Sequence, residues 1–439
     1  AESFRRIAAQ CGKGGPLEPS YKDLLNTADQ RKDPKNAYYP RSYCGPLFGF
    51  AYRIETDSGR DGSRFLRHIK DVLWKADGSG IDGMDFGWDA VMYDWIYDAL
   101  TSEERTLYGN RIGRFLRNYT KVPEITLQDG TYWYNQTWGG MGISWNRDGI
   151  AAKTMVALAI TGEKTDYQND TRQWFDSFAK RMPEEFVKKL DLIGGAWPEG
   201  PNHGGISSMP FLTWEAWRFA TGQDLFEKVG RTGFHRESPY WPVYGNVPHT
   251  GHMPHIEDVG PGMFRGLDTH MYLALHAARY RDGSSQGSVK RAVENGRAGW
   301  ADMIWYNPDI PVVKREALPL AFHFRGSGHV YMRSAWQGAD DTWAMFTAAP
   351  LFTAYGHGSG CVGAFQIAKQ GTLAGKAGYN HWSSSGIPNS QNVVLIYDPK
   401  EKYFNRTGTE TRRNDGGPQS PNFPHALEPV KRGEIVAYE

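Results

Sequence analysis

Two histidines in glycine-rich segments are the side chains of this sequence best suited to transfer a proton. His203 follows Trp197-Pro-Glu199-Gly, and His357 opens the stretch His357-Gly-Ser-Gly-Cys-Val-Gly. An imidazole titrates near neutral pH, so it can accept or release a proton under ordinary conditions. Each residue also has a structural interpretation: His357 as a solvated turn residue, and His203 as a residue that only packs against or caps the start of a helix.

The aromatic content suggests what such groups would act on. Sixteen Trp and 23 Tyr exceed what a typical core demands. Flat aromatic faces rimmed by polar groups hold sugar rings by stacking on their C–H faces. The candidate platforms are Trp133, Trp138, Trp145 and Trp197. Packing in the hydrophobic core is the alternative for each of them.

Helices must position these residues in the first two thirds of the chain. Apolar side chains recur at helical spacing and predict helices over 65–74, 90–100, 103–118, 150–161, 166–180, 210–221 and 266–281. Thr101-Ser-Glu-Glu is a predicted N-cap, because a hydroxyl and early carboxylates satisfy the free amides of a first helical turn. Helices separated by connections rich in Gly, Asn and Asp favour a curved array of paired helices.

The period changes near Glu316, where Pro308, Pro311 and Pro319 break helical propagation. Short segments rich in β-branched and aromatic residues follow, separated by glycine-rich turns, and predict an antiparallel β domain. The predicted strands lie within 323–336, 342–347, 363–368, 392–397 and 433–439. We therefore expect an α+β multidomain chain, helical over 1–316 and β over 317–439. Four or five strands make a thin sandwich, so we expect the β domain to be truncated here.

Composition excludes several classes of function. A chain of 439 residues is long enough for about two or three domains. It contains no apolar run near the roughly 18 residues that cross a bilayer, so a membrane-embedded protein is not expected. With 50 basic and 49 acidic residues, no overall field gathers nucleic acid or anionic lipid. An anionic partner must therefore be bound by a local cluster of charges.

Cysteines and the first residues bear on the cellular compartment. Cys11, Cys44 and Cys361 show no CxxC spacing, so at most one disulfide, between Cys11 and Cys44, is conceivable. The chain opens at Ala1-Glu2 without a methionine or an apolar leader, as in a mature exported protein or a trimmed chain. We expect a secreted or periplasmic protein.

Four segments, in this order, resemble the heparinase II/III-like polysaccharide lyases. They are Tyr93-Asp-Trp-Ile-Tyr-Asp-Ala-Leu-Thr-Ser-Glu-Glu-Arg105, Gly195-Ala-Trp-Pro-Glu-Gly-Pro-Asn-His203, Gly326-Ser-Gly-His-Val-Tyr-Met-Arg-Ser-Ala-Trp336, and His357-Gly-Ser-Gly-Cys-Val-Gly-Ala-Phe365 with Gly371-Thr-Leu and Gly378-Tyr379. The resemblance implies an α/α toroid, an incomplete barrel, followed by an antiparallel β-sandwich.

The chain departs from the family pattern where some relatives hold zinc. Only the first histidine of a His-x-His-x-Asp pattern is present, as His357, and Ser359 and Cys361 stand at the other two positions. A further family histidine corresponds to Gln391. Such a set lacks the imidazole and carboxylate ligands that zinc prefers. We expect no metal at this position, and no cofactor.

The chemistry implied by the resemblance is β-elimination across a uronic acid. A base removes the C5 proton, the glycosidic oxygen leaves C4, and donors neutralise the carboxylate while charge develops on it. The resemblance suggests His357 as base or carboxylate neutraliser and His203, where the family usually carries a tyrosine, as base or acid. Asn146 is the candidate neutraliser, with Asn135 as its competitor, and Tyr379 is a candidate acid or a core residue of a strand.

The remaining candidates bind substrate. Glu199 would orient His203 or remain a solvated turn acid. Arg333 is either a structural ion-pair former or a substrate ligand. The expected partner is an anionic polysaccharide, with neither nucleic acid nor membrane as partner, and the remainder of the β domain is a further expected partner. The stacking residues are Trp138, Trp145 and Trp197.

Other functions remain open at this stage. A glycoside hydrolase on the same toroid needs two carboxylates, and the available acids are Asp82, Asp85, Asp89 and Asp94. A non-catalytic binder of acidic glycans and an epimerase that shares the first proton abstraction are further alternatives. Another cluster suggests metal binding by composition but lacks regular ligand spacing, which favours a loop over the cleft: His249, His252, His255, Glu257 and Asp258.

Overall fold

The protein was examined as a computed structural model. It describes residues 2–33, 35, 45–74, 84–117, 126–127, 133–134, 143–183, 187, 191, 194–196, 209–230, 233–254, 270–347, 363–375, 392 and 394. The order of the described elements agrees with the expected α+β layout, because helices come first and a five-stranded antiparallel sheet follows.

Fourteen α-helices occur in the described residues. They are α1 Glu2–Cys11, α2 Glu18–Arg31, α3 Gly45–Asp57, α4 Ser63–His68, α5 Met84–Ile96, α6 Ser102–Gly113, α7 Ile143–Ile160, α8 Gln168–Arg181, α9 Met209–Thr221, α10 Phe234–Glu237, α11 Tyr240–Gly245, α12 His270–Tyr280, α13 Gly283–Glu294 and α14 Trp300–Trp305. None of the described helices is long and apolar enough to span a membrane.

The predicted helices between 65 and 281 are present with shifted ends. The helix expected over 65–74 is α4 followed by a π-helical turn, Ile69–Leu73. The helix expected over 103–118 ends at Gly113. Its N-cap is confirmed: the Thr101 hydroxyl accepts from the Glu104 amide at 3.2 Å, and the Glu104 carboxylate accepts from the Thr101 amide at 2.9 Å. This capping box satisfies two amides of the first turn.

Six helices contact one another in series. The order is α3, α5, α7, α9, α12 and α14, and α14 contacts α3 again. Tryptophan rings also connect the last helix of the series with the second, because Trp300 of α14 lies 6.2 Å from Trp88 and 5.2 Å from Trp95 of α5 in edge-on contacts. The core of the array is aromatic, and Trp174, Trp214, Trp241, Tyr93 and Tyr272 are among its fully buried side chains.

The return helix α8 runs antiparallel to α7. The Gln168 amide at its start donates to the Ile160 carbonyl at the end of α7, at 2.8 Å, and Trp174 donates to the Thr154 hydroxyl further back along α7, at 3.0 Å. Contacts at both ends therefore fix opposite directions for these two helices.

The sheet has the strand order β3-β4-β5-β6-β7, and all neighbouring strands are antiparallel. The strands are β3 Ala321–Phe324, β4 His329–Arg333, β5 Trp343–Thr347, β6 Phe365–Ala368 and β7 Thr372–Ala374. A separate two-stranded ribbon consists of β1 Thr126–Leu127 and β2 Trp133–Tyr134. The strand predictions over 323–336, 342–347 and 363–368 fall on β3 to β6. The strand predicted over 433–439 lies outside the described residues.

Helix α11 packs against one face of the sheet. The Trp241 indole donates to the Tyr331 hydroxyl at 2.9 Å, and the Trp343 indole donates to the Tyr244 carbonyl at 2.9 Å. The last helix before the sheet ends at Trp305, and a 3₁₀ turn, Arg315–Ala317, precedes β3. The change from helix to strand thus occurs where the prolines predicted it, while the division into two domains at 316 and 317 stays a prediction.

Candidate functional site

Most of the predicted site residues lie outside the described part of the chain. His203, His357, Tyr379, Asn135, Trp138, Trp197 and Glu199 all belong to this group. Trp145 and Asn146 lie in the first turn of α7, where only the backbone is described. Arg333, on β4, is the one predicted site residue whose side chain is described. The structure nevertheless describes helices and strands that adjoin these segments in the sequence.

Helices α5 and α7 run parallel. A Cβ placed on Gly87, near the start of α5, would lie 3.0 Å from the Cα of Ala152, so these backbones touch at that level. Further along both helices, the Tyr97 hydroxyl just after α5 donates to the Glu163 carboxylate just after α7, at 2.6 Å. Both helices therefore point the same way. Because only glycine allows this close approach, Gly87 sets the spacing between them.

Helices α9 and α12 also run parallel to each other. The rings of Phe211 and Tyr272 stack 4.2 Å apart, two residues after the start of each helix. Toward the other ends, Arg279 of α12 forms an ion pair with Glu215 of α9. The N-terminal turns of these two helices therefore lie side by side.

The start of α9 lies beside the start of α5. A Cβ on Gly87 would be 2.8 Å from the Cε of Met209, the first residue of α9. The Thr213 hydroxyl of α9 donates to the Ala151 carbonyl of α7 at 3.1 Å. The starts of α5, α9 and α12 are thus neighbours. Helix α7 contacts α5 and α9 at Ala151 and Ala152, and its first two turns come before this contact in the sequence. Seven of the ten predicted site residues lie either in the segments before α7 and α9 or in the first turn of α7.

A close contact fixes Gly195, which lies two residues before the Trp-Pro-Glu-Gly motif. A Cβ on Gly195 would overlap the Cβ of Glu237 and lie 2.7 Å from its carbonyl carbon, so no larger residue fits at this position. The Gly195 amide also donates a hydrogen bond to the Glu237 carboxylate. Gly195 is therefore held against the short helix α10.

Glu237 is an acid that the sequence analysis missed. Burial raises the pKa of Glu237 to about 7, although the Gly195 hydrogen bond and the Arg325 charge favour the carboxylate form. Its Oε2 is buried and has no hydrogen-bond partner among the described residues. A carboxyl group that titrates near neutral pH can donate or accept a proton. Nothing in the periodicity of Phe-His-Arg-Glu distinguishes it from a surface acid.

One end of the sheet lies close to Glu237. Arg325, whose charge acts on Glu237, belongs to the turn between β3 and β4. His329 at the start of β4 pairs with Thr347 at the end of β5. Thr347 is the last described residue before the segment that contains His357. Gly195 precedes the segment with His203, and Thr347 precedes the segment with His357. These two described residues are connected through Glu237, Arg325 and the start of β4.

The contacts of Arg333 are structural. Its Nη2 donates to the carbonyl of Asn246 at 2.8 Å and to that of Tyr244 at 3.5 Å, and its guanidinium lies 3.9 Å from the centre of the Trp336 ring. Burial, followed by the nearby Arg315 charge, lowers the pKa of Arg333 to about 10. Among the described residues it forms no ion pair, so carbonyl binding replaces the expected carboxylate partner. A substrate contact stays a prediction.

Two deeply buried histidines, His276 and His329, belong to the interior of the protein. The His276 ring lies between the Ser285 hydroxyl, at 2.9 Å, and the Arg236 carbonyl, at 3.0 Å, and burial lowers its pKa. Burial also lowers the pKa of His329 to about 3. Both imidazoles are therefore neutral near pH 7.

The other sequence expectations can be checked in part. Cys11 is a buried free thiol whose Sγ lies 4.0 Å from the Met303 sulfur, so the conceivable bridge to Cys44 is not formed. The described residues contain no group of three or more potential metal ligands, while His255, Glu257 and Asp258 lie outside them.

Asp89 and Asp94, two of the four acids considered for a hydrolase, do not form a pair on α5. Asp89 is buried and Asp94 is exposed. Five residues rotate a helix by about 140°, so these two side chains point to different sides. Asp82 lies outside the described residues, and only the backbone of Asp85 is described.

Comparison with known proteins gives little. No protein-family model matches the chain, and no curated protein matches it. Among solved structures, a heparinase III gene product aligns with 84% of this chain at 13% sequence identity and a TM-score of 0.38. The alignment covers 57% of that chain, so the protein spans little more than half the length of this neighbour. A similarity this weak decides neither the fold nor the activity.

Proposed function

We propose that this protein is a polysaccharide lyase that cleaves an anionic, uronate-containing polysaccharide by β-elimination. The observation that supports this most is the gathering of helix starts at one end of the helical array. Gly87 of α5 approaches Met209 of α9, and α9 and α12 begin side by side. Seven of the ten candidate residues lie in the first turn of α7 or in the segments that lead into α7 and α9. Because these segments are short, they stay near this end of the array.

Helix starts favour an anionic substrate. The free amides and the macrodipole place about half a positive charge at the N-terminus of each helix. Several such ends together stabilise negative charge, first on the bound uronate and then on the enolate that forms from it. Asn146, in the first turn of α7, would add a side-chain amide to the backbone donors.

The proton-transfer groups are drawn from the flanking segments. His203 lies six residues before Met209, a length that spans at most about 20 Å. Thr347 ends β5 at the end of the sheet that lies near Glu237. His357 follows Thr347 by ten residues in the sequence. One imidazole removes the C5 proton, and the C5–H electrons form the C4–C5 double bond. The C4–O bond breaks, and the second imidazole or Tyr379 protonates the leaving oxygen.

Neighbouring groups complete the proposed site. Glu237, held by the Gly195 amide two residues before the Trp-Pro-Glu-Gly motif, competes with Glu199 to orient His203. Asn135 competes with Asn146 for the uronate. The proposed stacking residues remain Trp138, Trp145 and Trp197.

The proposed architecture follows from the series of helix contacts. Helices α3, α5, α7, α9, α12 and α14 form the inner layer of an incomplete α/α toroid over 1–316. The five-stranded sheet belongs to a β-sandwich over 317–439. Because acidic polysaccharides of this kind are extracellular, the protein acts in a secreted or periplasmic setting.

The test uses histidine variants with a matched control. Elimination creates a conjugated uronate that absorbs ultraviolet light, and hydrolysis does not. We expect His357→Ala and His203→Ala to lose most product formation while thermal unfolding stays nearly unchanged. The control is His249→Ala, in the loop that follows α11 and is described as far as Pro254. This variant should keep full activity. Normal turnover of either variant would remove that histidine from the mechanism, and an equal loss of stability would assign it a structural role.

A further inference from the structure

A groove of about 740 Å³ lies between α11, α13 and the 3₁₀ turn before β3. This volume is within the range of sites that hold small ligands. None of its lining residues belongs to the proposed catalytic set. Its polar side chains that matter here are Arg291, Arg297, Arg315, Asn246, Ser288 and Asn295.

The groove carries an excess of positive charge along its described lining. Arg291, Arg297 and Arg315 line it, and no acidic side chain does among the described residues, although the charge of Glu316 acts on Arg315. None of the three forms an ion pair with another of the described residues, although neighbouring Lys290 pairs with Glu294 at 3.8 Å. Surface arginines are usually balanced by nearby acids in a chain whose charges nearly cancel, so this local excess is an exception.

The arginines also repel one another. Partial burial, and after it the charge of Arg291, lowers the pKa of Arg315, which means that these guanidinium groups are close enough to interact. Arg333 lies behind them, and the charge of Arg315 acts on it as well. A bound anion would relieve this repulsion, because carboxylates and sulfates accept paired hydrogen bonds from a guanidinium fork.

Hydroxyl and amide groups surround the charges. Arg291 donates to the Ser288 hydroxyl at 3.0 Å, and this contact holds the guanidinium toward the groove. The Asn246 amide donates to the Gly251 carbonyl at 3.1 Å, so it is fixed in the opposite wall. Hydroxyls and amides beside arginines suit a ligand with both acidic groups and many hydroxyls.

The aromatic lining does not suit nucleic acid. In the described lining of the groove, Tyr240 is the only aromatic residue apart from His252. Its ring already stacks on Phe322 at 5.8 Å with an interplanar angle of 12°, and its hydroxyl is bonded to Asp282. Single-stranded nucleic acid is bound largely by stacking of bases on free aromatic faces. An acidic saccharide can instead be held here by charge-assisted hydrogen bonds from the guanidinium groups, without stacking on a ring.

We propose that this groove, whose described lining contains none of the proposed catalytic residues, binds a segment of an acidic sugar chain, carboxylated or sulfated. Binding here requires no cleavage, so the proposal is independent of lyase activity. If the same chain also reaches the proposed catalytic end, the second contact raises the effective concentration of substrate there.

The experiment measures binding by calorimetry on the full chain. The probes are a heparin-derived tetrasaccharide, a polygalacturonate tetrasaccharide, inorganic sulfate and a ten-nucleotide thymidine strand. The variants are the pair Arg291→Gln with Arg315→Gln, and Lys290→Gln as the control. Lys290 is the neighbour of Arg291 on α13 and has the same charge, but it does not line the groove.

We expect at least one of the two tetrasaccharides to bind, the double variant to weaken that binding about tenfold or more, and Lys290→Gln to leave it nearly unchanged. Equal weakening by Lys290→Gln would overturn the proposal in favour of a diffuse charge effect. Sulfate that binds as tightly as the tetrasaccharides would show a simple anion site, and tighter binding of the oligonucleotide would show the wrong ligand class. Absence of binding by both tetrasaccharides would also overturn it, whereas the lyase proposal is decided by product absorbance alone.

Discussion

At the scale of single residues, burial changes the chemistry of acids that look ordinary in the sequence. Glu237 acquires a pKa near neutral because Gly195 and the elements around α10 enclose it. The sequence analysis could select His203, His357 and Asn146 from their motifs, but it could not select Glu237. Its environment arises from a contact between segments about forty residues apart, which no local pattern reveals.

Asp302 of α14 gives a test of burial through pH. Burial raises the pKa of Asp302 to about 7, even though the Gly299 amide donates to it at 3.0 Å. Since the unfolded value is about 3.9, the folded state holds the proton more strongly. This contribution to stability is fully present below the unfolded pKa and is lost as the pH rises toward 7.

We therefore expect the free energy of unfolding of the wild type to fall between pH 5 and pH 8 by about 2–3 kcal/mol more than that of Asp302→Asn. Denaturant unfolding at the two pH values measures this difference. The exposed acid Asp309, changed to Asn, should show the wild-type dependence. Identical pH dependence for the wild type and Asp302→Asn would contradict the buried, protonated state.

At the scale of elements, the sequence predicted helices well where apolar periodicity was strong. It missed α1, α2, α3, α13 and α14, which lie outside the predicted helices between 65 and 281, and it also missed the short helices α10 and α11 inside that span. Helix α3 contains Gly45, Pro46 and Gly49, which by themselves favour a turn, and its packing against α5 overrides that preference. Helix α13 is rich in Gly and Ser and has low intrinsic helix propensity. Tertiary contacts supply what propensity lacks.

The N-cap of α6 is a local feature that the sequence did predict. Loss of the Thr101 hydroxyl leaves the Glu104 amide without its acceptor. We expect Thr101→Ala to lower the free energy of unfolding by about 1 kcal/mol, as measured in urea. Ser102→Ala, at the next exposed position, should change it by much less. Equal effects of the two substitutions would show that the capping box is not formed.

The contact between α5 and α7 is the element-scale test of the array. An alanine at Gly87 would meet the Ala152 backbone at 3.0 Å, and a backbone cannot move aside as a flexible side chain can. We expect Gly87→Ala to destabilise the protein by about 1–3 kcal/mol, although alanine favours helices over glycine. Thermal or urea unfolding measures the change.

Gly49→Ala in α3 is the matched control, because the nearest atom to its new Cβ would be a Trp95 side-chain carbon at 3.3 Å. Its cost should be clearly smaller than that of Gly87→Ala. Stabilisation by Gly87→Ala would contradict the close parallel packing of α5 and α7, and with it the gathering of helix starts.

At the scale of the whole molecule, the sequence predicted the order of helices and strands and the region where one gives way to the other. It could not predict how the helical array and the sheet join. That junction rests on Trp241 with Tyr331 and on Trp343 with the Tyr244 carbonyl, contacts between segments about ninety residues apart. The arginine groove has the same origin, because Arg315, in the turn before β3, meets Arg291, in the last turn of α13, and Arg297, just after it, only in the folded chain.

The central claim is that the helix starts and the flanking histidines perform β-elimination on a uronate polymer. The most direct measurement incubates the wild-type protein with a panel of uronate polysaccharides and follows ultraviolet absorbance and chain length together. The account predicts that at least one polymer is shortened with a matching rise in absorbance. Shortening without absorbance would indicate hydrolysis, and binding without shortening would indicate a glycan-binding protein; either result would contradict the account.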